Sequence, residues 1–279
     1  MEQDKRCAPG QNFKDGSCFT VDNLYKIAQA YNGNFNDKII LKKDKKFLLK
    51  ELTDKLKNVC NNQQCWLKLK FMKDLNDQKL LKETFRPEGP DTGTKWLSTS
   101  DIDKVMNQYQ IKFDDFVFLG AVPLDFQDIG MGFNKLPFHK MIKDGRNKLG
   151  MVINLDTHDK NGSHWVGLFS NLKKKQIYFF DSYGHKPDKE IKKFMDKIAK
   201  WMSKTYNLKN DSEGELFNNK DIDIKYNTVR HQYKHSECGI YSMNFIIRLL
   251  NGEGFVEIEK SKVIDDEINK CRSVYFSKK

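Results

Sequence analysis

The sequence has no long apolar run, no internal repeat and no low-complexity tract. A membrane-spanning helix needs about 18 consecutive apolar residues, and no apolar run in the 279 residues comes close to that length. The N-terminal segment MEQDKRCAPGQ lacks the apolar core of a secretory signal. These absences predict a protein that does not associate with membranes and that is intracellular or is packaged from the inside of a cell.

The composition that is present suits a folded and basic protein. Hydrophobic residues make up 38% of the chain and there are 20 phenylalanines, which argues against general disorder. The net charge is +11, and residues 1–84 hold 17 basic and 11 acidic residues, so the excess is spread over both parts of the chain. A basic protein attracts nucleic acid without reading its sequence. Lysine-rich composition is the plainer interpretation, and we expect at most a weak nucleic-acid contact through the basic surface.

The cysteines have two interpretations that the sequence leaves open. In an intracellular protein, reduced thiols, metal ligands or a catalytic thiol are expected rather than disulfides. Cys7, Cys18, Cys60 and Cys65 could together form a zinc site. The ten residues within the first pair and the four within the second are not the usual spacings of short zinc knuckles. We predict reduced thiols, no metal and no cofactor. The six residues are Cys7, Cys18, Cys60, Cys65, Cys238 and Cys271.

The chain divides by its texture into two parts. Amphipathic helical patterns begin at TVDNLYKIAQAYN and continue over residues 46–60 and 64–83. The segment FRPEGPDTG, residues 85–93, then holds two of the six prolines and two glycines, which is the clearest break in the chain. We therefore predict a helical N-terminal arm over residues 1–84 and a second part, the core of the protein, over residues 85–279.

The second part alternates short strands with helices. STSDIDKVMNQY predicts a capped helix, and PDKEIKKFMDKIAKWMSKTY predicts a helix with one apolar face. Between them, FVFLGAVPLDF, LGMVINLD, HWVGLFS and QIYFFD are short apolar runs typical of strands. This pattern predicts an α+β fold in which a mixed, mainly antiparallel sheet packs on helices.

A predicted hairpin brings a histidine and an aspartate together. The strands 164–170 and 176–181 flank the short polar turn NLKKK, so an antiparallel pair is expected. If Leu172 and Lys173 form the tip of the turn, His164 lies directly across from Asp181. Opposed side chains share a face of the sheet with Cβ atoms about 5 Å apart. A carboxylate there can orient an imidazole and stabilise its cationic form. Asp156 and His158 form a weaker rival pair.

The segment RHQYKHSECGIYSMNFIIRLL predicts a nucleophile at the start of a buried helix. Ser236 is a candidate cap, and a helix N-terminus beside an imidazolium favours the thiolate form of Cys238. Gly239 would let a substrate backbone approach the sulfur, and the Gln232 amide could donate to a developing oxyanion. The alternatives are that Cys238 is a small buried apolar residue, or that it binds a metal with His231 and His235.

Three motifs in this order resemble one clan of cysteine proteases. GSHWVGLF, IYFFDSYG and RHQYKHSECGIYSMNF resemble the adenain and ubiquitin-like-protein protease clan, and within it the polyprotein-processing thiol proteases of large DNA viruses such as African swine fever virus and the mimivirus group. The resemblance covers residues 85–250 well and the arm more loosely. It implies that His164 is the base, Asp181 its orienting group, Gln232 the oxyanion donor and Cys238 the nucleophile. It also implies that Trp165 walls a narrow substrate groove.

The same resemblance implies a function. It predicts a cysteine endopeptidase that cleaves viral structural precursors during virion maturation, after small residues such as a Gly-Gly pair, in the virion and in the viral factory of the host cytoplasm. A SUMO-type deconjugating protease or a pathogen effector of the same clan is the alternative. A binding module that retained the fold without activity is a third reading, which the full set of catalytic residues argues against. The sequence does not predict the cleavage sequence, an activating cofactor or the oligomeric state.

Overall fold

The computed structural model describes residues 7–75, 77–90, 93–208 and 221–277. The predicted break at residues 85–93 therefore lies partly outside the described residues, as do the first residues of the arm. Contacts divide the chain into a first unit, Met1–Gly89 with Ser273–Lys279, and a second unit, Pro90–Arg272. The boundary that we placed between residues 84 and 85 stays a prediction. Among the described residues, no helix combines the length and apolarity needed to cross a membrane.

The first unit is helical and has its own apolar core. Its elements are α1 (Val21–Asn34), α2 (Lys45–Leu56), α3 (Gln63–Trp66), a 3-10 helix (Lys70–Leu75) and α4 (Asp77–Thr84). Thr20 and Asp44 cap α1 and α2 through their side-chain oxygens. The long helix predicted over residues 64–83 is instead three short pieces. The apolar side chains still point inward, among them Leu24, Ile27, Leu48, Leu52, Trp66 and Met72.

The four cysteines of the first unit are paired as disulfides. Cys7 bonds Cys18 and Cys60 bonds Cys65. The prediction of reduced thiols here was wrong, and so was the alternative of a four-cysteine zinc site. Each bond closes a short loop beside the small core of this unit, so it limits the freedom of the unfolded chain. Cys238 and Cys271 are not in disulfide bonds.

The second unit is built on a five-stranded sheet with the order β1-β2-β3-β4-β5. The strands are β1 (Phe116–Val122), β2 (Lys148–Asn154), β3 (Trp165–Asn171), β4 (Gln176–Phe180) and β5 (Asp223–Tyr226). The pairings of β2 with β3 and of β3 with β4 are antiparallel, whereas both edge strands pair in parallel. The mixed α+β fold is thus confirmed, with the antiparallel pairing confined to the centre of the sheet.

Helices cover both faces of this sheet. The helices of this unit are α5 (Thr99–Lys112), α6 (Phe138–Lys143), α7 (Lys189–Thr205), α8 (Cys238–Leu250), α9 (Phe255–Lys260) and α10 (Asp265–Lys270), and α11 (Arg272–Tyr275) begins at its last residue. The apolar face of α7 packs with alternate strand residues such as Met151 and Leu168. A capping box between Ser98 and Asp101 starts α5, as predicted.

Helix α8 lies unusually close to β3, because a glycine faces it. A Cβ atom on Gly167 would stand 3.1 Å from the Ser242 carbonyl oxygen and 3.1 Å from the Phe245 ring. The Ser242 hydroxyl donates to the Trp165 carbonyl oxygen at 3.0 Å. These contacts fix the first two turns of α8 against the first residues of β3, close to the predicted site residues.

Candidate active site

The hairpin of β3 and β4 brings His164 and Asp181 to one edge of the sheet. His164 directly precedes β3 and Asp181 directly follows β4. The predicted register was wrong, because Asn171 pairs with Gln176 and the turn is centred one residue later than Leu172–Lys173. This register leaves His164 and Asp181 diagonal rather than opposed. A shift of two residues keeps a side chain on the same face, so the two groups still meet.

His164 and Asp181 form a short buried hydrogen bond. The His164 Nε2 atom lies 2.6 Å from the Asp181 Oδ1 atom, and the side chains are 9% and 2% exposed. Burial alone would lower the pKa of His164, but hydrogen bonds to Asp181 and Cys238 outweigh it and raise the pKa to about 9. Burial would raise the pKa of Asp181, and the hydrogen bond from His164 instead holds that pKa low. The pair therefore favours an imidazolium beside a carboxylate.

The backbone of Asp181 is held by a buried asparagine. Asn227 accepts from the Asp181 N–H at 2.8 Å and donates to the Asp181 carbonyl oxygen at 2.7 Å. The carboxylate also accepts the backbone N–H of Tyr183 at 2.9 Å and of His185 at 3.3 Å. Because both ends of the residue are anchored, the carboxylate has little freedom to leave the imidazole.

Cys238 completes a set of three groups. It is the first residue of α8 and is 2% exposed. Its sulfur is close enough to the His164 imidazole to contribute to the raised pKa of that ring. The residue at the N-cap position of the helix is Glu237 rather than Ser236, and no side chain caps the helix. The predicted capping role of Ser236 was therefore wrong. An imidazolium, a carboxylate and a thiol in contact are the groups that nucleophilic catalysis by cysteine requires.

Gln232 is buried in the loop before α8, and its amide orientation is determined by its partners. The Nε2 atom donates to the Lys234 carbonyl oxygen at 2.8 Å, and the Oε1 atom accepts from the Ser182 hydroxyl at 2.6 Å. A backbone carbonyl can only accept, so the nitrogen must face Lys234. The N–H groups of His231 and Gln232 both donate to the Ser182 carbonyl oxygen. The loop is therefore joined to the residue after Asp181, while the oxyanion role stays a prediction.

Trp165 and Gly239 pack together with Leu97. The Trp165 indole N–H donates to the Leu97 carbonyl oxygen at 2.9 Å, and the tryptophan is 6% exposed. A Cβ atom on Gly239 would stand 3.2 Å from the Leu97 side chain and 3.4 Å from the Trp165 ring. A side chain at this position would therefore press on Leu97 and Trp165. The predicted roles of both residues in admitting a substrate backbone stay predictions.

The rival arrangements of histidines have different partners. The His158 Nδ1 atom lies 2.5 Å from the Asp125 carboxylate rather than near Asp156, and the His158 side chain is 59% exposed. His231 packs edge-on against Phe180. In the part of the chain that the structure describes, no three His, Cys, Asp or Glu side chains are grouped to hold a metal. His231, His235 and Cys238 therefore do not form the alternative metal site.

Comparison with known proteins identifies the family. Residues 149–274 match the Ulp1 protease family, C-terminal catalytic domain. Protein R355 of Acanthamoeba polyphaga mimivirus, whose name describes a thiol protease, is 35% identical over 97% of this chain and 92% of its own length. The chain belongs to the Ulp1 protease family.

Viral relatives of this Ulp1-family protease extend over both of its units. The protein of African swine fever virus named SUMO-1 cysteine protease S273R is 25% identical over 86% of this chain and 91% of its own length. The crystal structure of the African swine fever virus pS273R protease covers 98% of this chain and 96% of its own, with a TM-score of 0.65 and 22% identity. The protein is a cysteine protease, and the predicted α+β fold is confirmed.

An aspartate that sequence reasoning missed holds the Gln232 loop of the protease. Asp265, the first residue of α10, accepts the backbone N–H of Tyr233 at 2.9 Å and of Lys234 at 3.0 Å through one carboxylate oxygen. Its other oxygen accepts from the Tyr241 hydroxyl at 3.3 Å. The contact joins residues more than 30 positions apart, and no sequence motif indicates it.

A second unpredicted network lies directly before Cys238. The buried Glu237 carboxylate accepts from the Ser236 N–H at 2.8 Å and from the Asn269 amide at 2.8 Å. The Arg272 guanidinium donates to the Ser236 carbonyl oxygen at 3.0 Å and to the Asn269 side chain at 3.0 Å. Residues 265–272 thus support both the Gln232 loop and the start of α8 in this protease.

Proposed function

We propose that this Ulp1-family cysteine protease is an endopeptidase that cleaves viral structural precursors during virion maturation. The observation that carries the proposal is the extent of the likeness. The Ulp1 family match covers residues 149–274, whereas the mimivirus thiol protease matches 97% of the chain. A relative that shares the first unit as well as the catalytic part supports a shared viral role beyond the shared chemistry.

In this proposal His164, Asp181 and Cys238 act as the catalytic triad. The imidazolium that their contacts favour is paired with a Cys238 thiolate, which attacks the carbonyl carbon of the scissile peptide bond. The negative charge moves to the carbonyl oxygen of a tetrahedral intermediate. The His164 N–H then protonates the departing amine, and a thioester of Cys238 remains. Water, deprotonated by His164, hydrolyses the thioester and restores the thiol.

Gln232 is the proposed side-chain donor to the oxyanion. One N–H of its amide goes to the Lys234 carbonyl oxygen, and an amide nitrogen carries two hydrogens. The second N–H and the backbone N–H of Cys238 are the groups that we assign to the oxyanion. Ser182 and Lys234 orient the amide before substrate arrives, so no reorganisation is required when the charge develops.

Small residues at the cleavage site fit the packing beside the thiol. Gly239 is closed in by Leu97 and Trp165, and the neighbouring Trp96 is 46% exposed. A substrate strand that reaches Cys238 past these tryptophan rings has room for glycine but little room for a larger side chain. We therefore propose cleavage after small residues such as Gly-Gly, with extended precursor polypeptides as substrates.

The proposed location is the virion and the viral factory of the host cytoplasm. The net charge of +11 leaves a weak contact with nucleic acid as a further proposal. Such a contact would weaken steeply as salt concentration rises, because binding releases counterions from the phosphates.

Deconjugation of a SUMO-type protein is the second candidate. It is favoured by the name of the African swine fever virus relative, a SUMO-1 cysteine protease. The chemistry at Cys238 would be the same. The substrate would be a folded protein with a flexible Gly-Gly tail rather than an extended precursor.

One experiment separates the two candidates. The purified protease and its Cys238→Ala variant are incubated with the core precursors of the virus and with a SUMO-fluorophore conjugate, and new N-termini are sequenced. We expect the precursors to be cut after small residues by the active protein alone. Efficient hydrolysis of the SUMO conjugate with intact precursors would replace the proposal by the second candidate.

A further inference from the structure

An arginine beside the catalytic histidine is held between aromatic rings. The Tyr183 ring stacks on the His164 imidazole, with centroids 4.5 Å apart and planes 13° from parallel. The Arg230 guanidinium carbon lies 5.1 Å from the centroid of the Tyr183 ring and 4.8 Å from that of Tyr233. Stacking on two rings fixes the plane of a guanidinium that would otherwise move freely.

The position of Arg230 relative to the reacting groups is set by its own hydrogen bond. Its Nε atom donates to the Gln232 carbonyl oxygen at 2.7 Å. Burial and the charge of Cys238 raise the pKa of Tyr183, while the charge of Arg230 lowers it, so the tyrosine lies within electrostatic reach of both. The Tyr183 ring that stacks on His164 also contacts Arg230, so the guanidinium lies one ring away from the imidazole.

The charge of Arg230 is not neutralised by an ion pair among the described residues. The nearby carboxylates are occupied, because Asp181 binds His164 and Asp265 accepts two backbone N–H groups. Lys262 adds a second cation, which donates to the Tyr233 hydroxyl at 3.1 Å. Arg230 is exposed, and its terminal nitrogens present a planar fork that matches a carboxylate.

We propose that Arg230 forms a subsite for the carboxylate of an aspartate or glutamate side chain of the substrate, within a few residues of the scissile bond. The inference rests on the proposed function, since it requires a polypeptide to occupy the site. Tyr183 and Tyr233 pre-orient the guanidinium, so binding of the carboxylate immobilises little of the protein. Acidic residues near the cut accordingly lower KM.

The test uses a set of peptides with one Gly-Gly cleavage site. Aspartate or asparagine is placed in turn at each of three positions on either side of the cut, and kcat/KM is measured. We expect the aspartate peptide to be cleaved about five- to tenfold better at one position, mainly through KM, which is the range for a partly exposed charged hydrogen bond. The ratio of kcat/KM for the aspartate peptide to that for the asparagine peptide should fall close to one in Arg230→Ala. In Arg230→Lys the ratio should keep part of its value. Arg230→Glu should prefer a lysine peptide at the same position.

The controls separate this subsite from the general chemistry. Lys173→Ala removes an exposed cation in the β3–β4 turn, at the far end of the hairpin from His164, and should keep the full preference. The ratio of two peptides also cancels any effect of Arg230 on the Gln232 loop. Equal cleavage of aspartate and asparagine peptides at every position would overturn the subsite and leave the proposed function standing. If no peptide is cut, the proposed function fails, and binding of the same peptides to Cys238→Ala decides the subsite.

Discussion

Replacement of Asp265 by alanine should slow the protease at least about tenfold without changing His164, Asp181 or Cys238. The carboxylate accepts two backbone N–H groups of the loop that carries Gln232, at 2.9 and 3.0 Å. A hydrogen bond to a charged group contributes about 1.5–3 kcal/mol. The loop is partly exposed, so the lower value applies to each, and we expect a loss of about 3 kcal/mol in the free energy that keeps the loop closed.

In the proposed mechanism, an open loop removes Gln232 from the place where the oxyanion forms. Loss of one such donor costs about 100- to 1000-fold in kcat. We expect Asp265→Ala to lose at least about tenfold in kcat, because part of the population recloses on substrate. Asp265→Asn keeps an oxygen for the two N–H groups and should retain most of the activity. Alkylation of Cys238 by iodoacetamide does not need an oxyanion donor, so its rate should change little in either variant.

Asp266→Ala is the matched control for this prediction. Asp266 contacts the same loop through an ion pair with the Lys234 ammonium group, and its side chain is 70% exposed. An exposed ion pair contributes about 0–1 kcal/mol, so this variant should behave like the natural protein. Urea unfolding of all three variants shows whether the loss is local. If Asp265→Ala keeps natural kcat, or loses kcat only in proportion to unfolded protein, the positioning role is refuted.

Four further predictions concern the triad and its donor. Cys238→Ala should abolish peptide cleavage with unchanged circular dichroism, and iodoacetamide should label Cys238 before Cys271 in mass spectra; activity retained by the variant would exclude it as nucleophile. Gln232→Ala should lower kcat about 100-fold with little change in thiol labelling, and a loss below about threefold would transfer the role to backbone amides. Asp181→Asn should be more active than Asp181→Ala, because an amide oxygen still accepts from the imidazole, and equal rates for both and the natural protein would contradict the orienting role. The pKa of His164 is raised to about 9. The contribution of protonated His164 to the free energy of unfolding should therefore be complete below the ordinary histidine pKa near 6.5 and be lost as pH rises through about 9, and kcat/KM should fall over the same range. Urea-unfolding and rate profiles that stay flat between about pH 6 and 10 would disprove this prediction.

The sequence predicted the contact of His164 with Asp181 because the prediction depended on the face of the strand on which each side chain lies, rather than on the details of the turn. The turn centre was misplaced by one residue, yet His164 and Asp181 stayed on one face because the register shifted by two positions. The start of α8 was equally readable, since a polar loop there gives way to an apolar helix at Cys238. Local patterns of this kind carry information about nearby contacts.

Contacts between distant segments were not readable in the same way. Asp265 is one of three acidic residues in the first turn of α10, and nothing local distinguishes the one that binds the Gln232 loop. The Tyr183 stack depends on the register that the turn sets. The helices of the first unit were predicted too long at residues 64–83, because apolar periodicity continues across the short 3-10 segment Lys70–Leu75.

The two disulfides and the Cys238 thiol require opposite redox conditions. A thiol reductant that keeps Cys238 free of sulfenic acid also exchanges with the Cys7–Cys18 and Cys60–Cys65 bonds. An assay buffer with a strong dithiol therefore contains a covalently different molecule from a buffer without it. Catalytic rates measured in the two buffers report on different first units, and non-reducing mass measurement of each sample is the only way to know which protein was assayed.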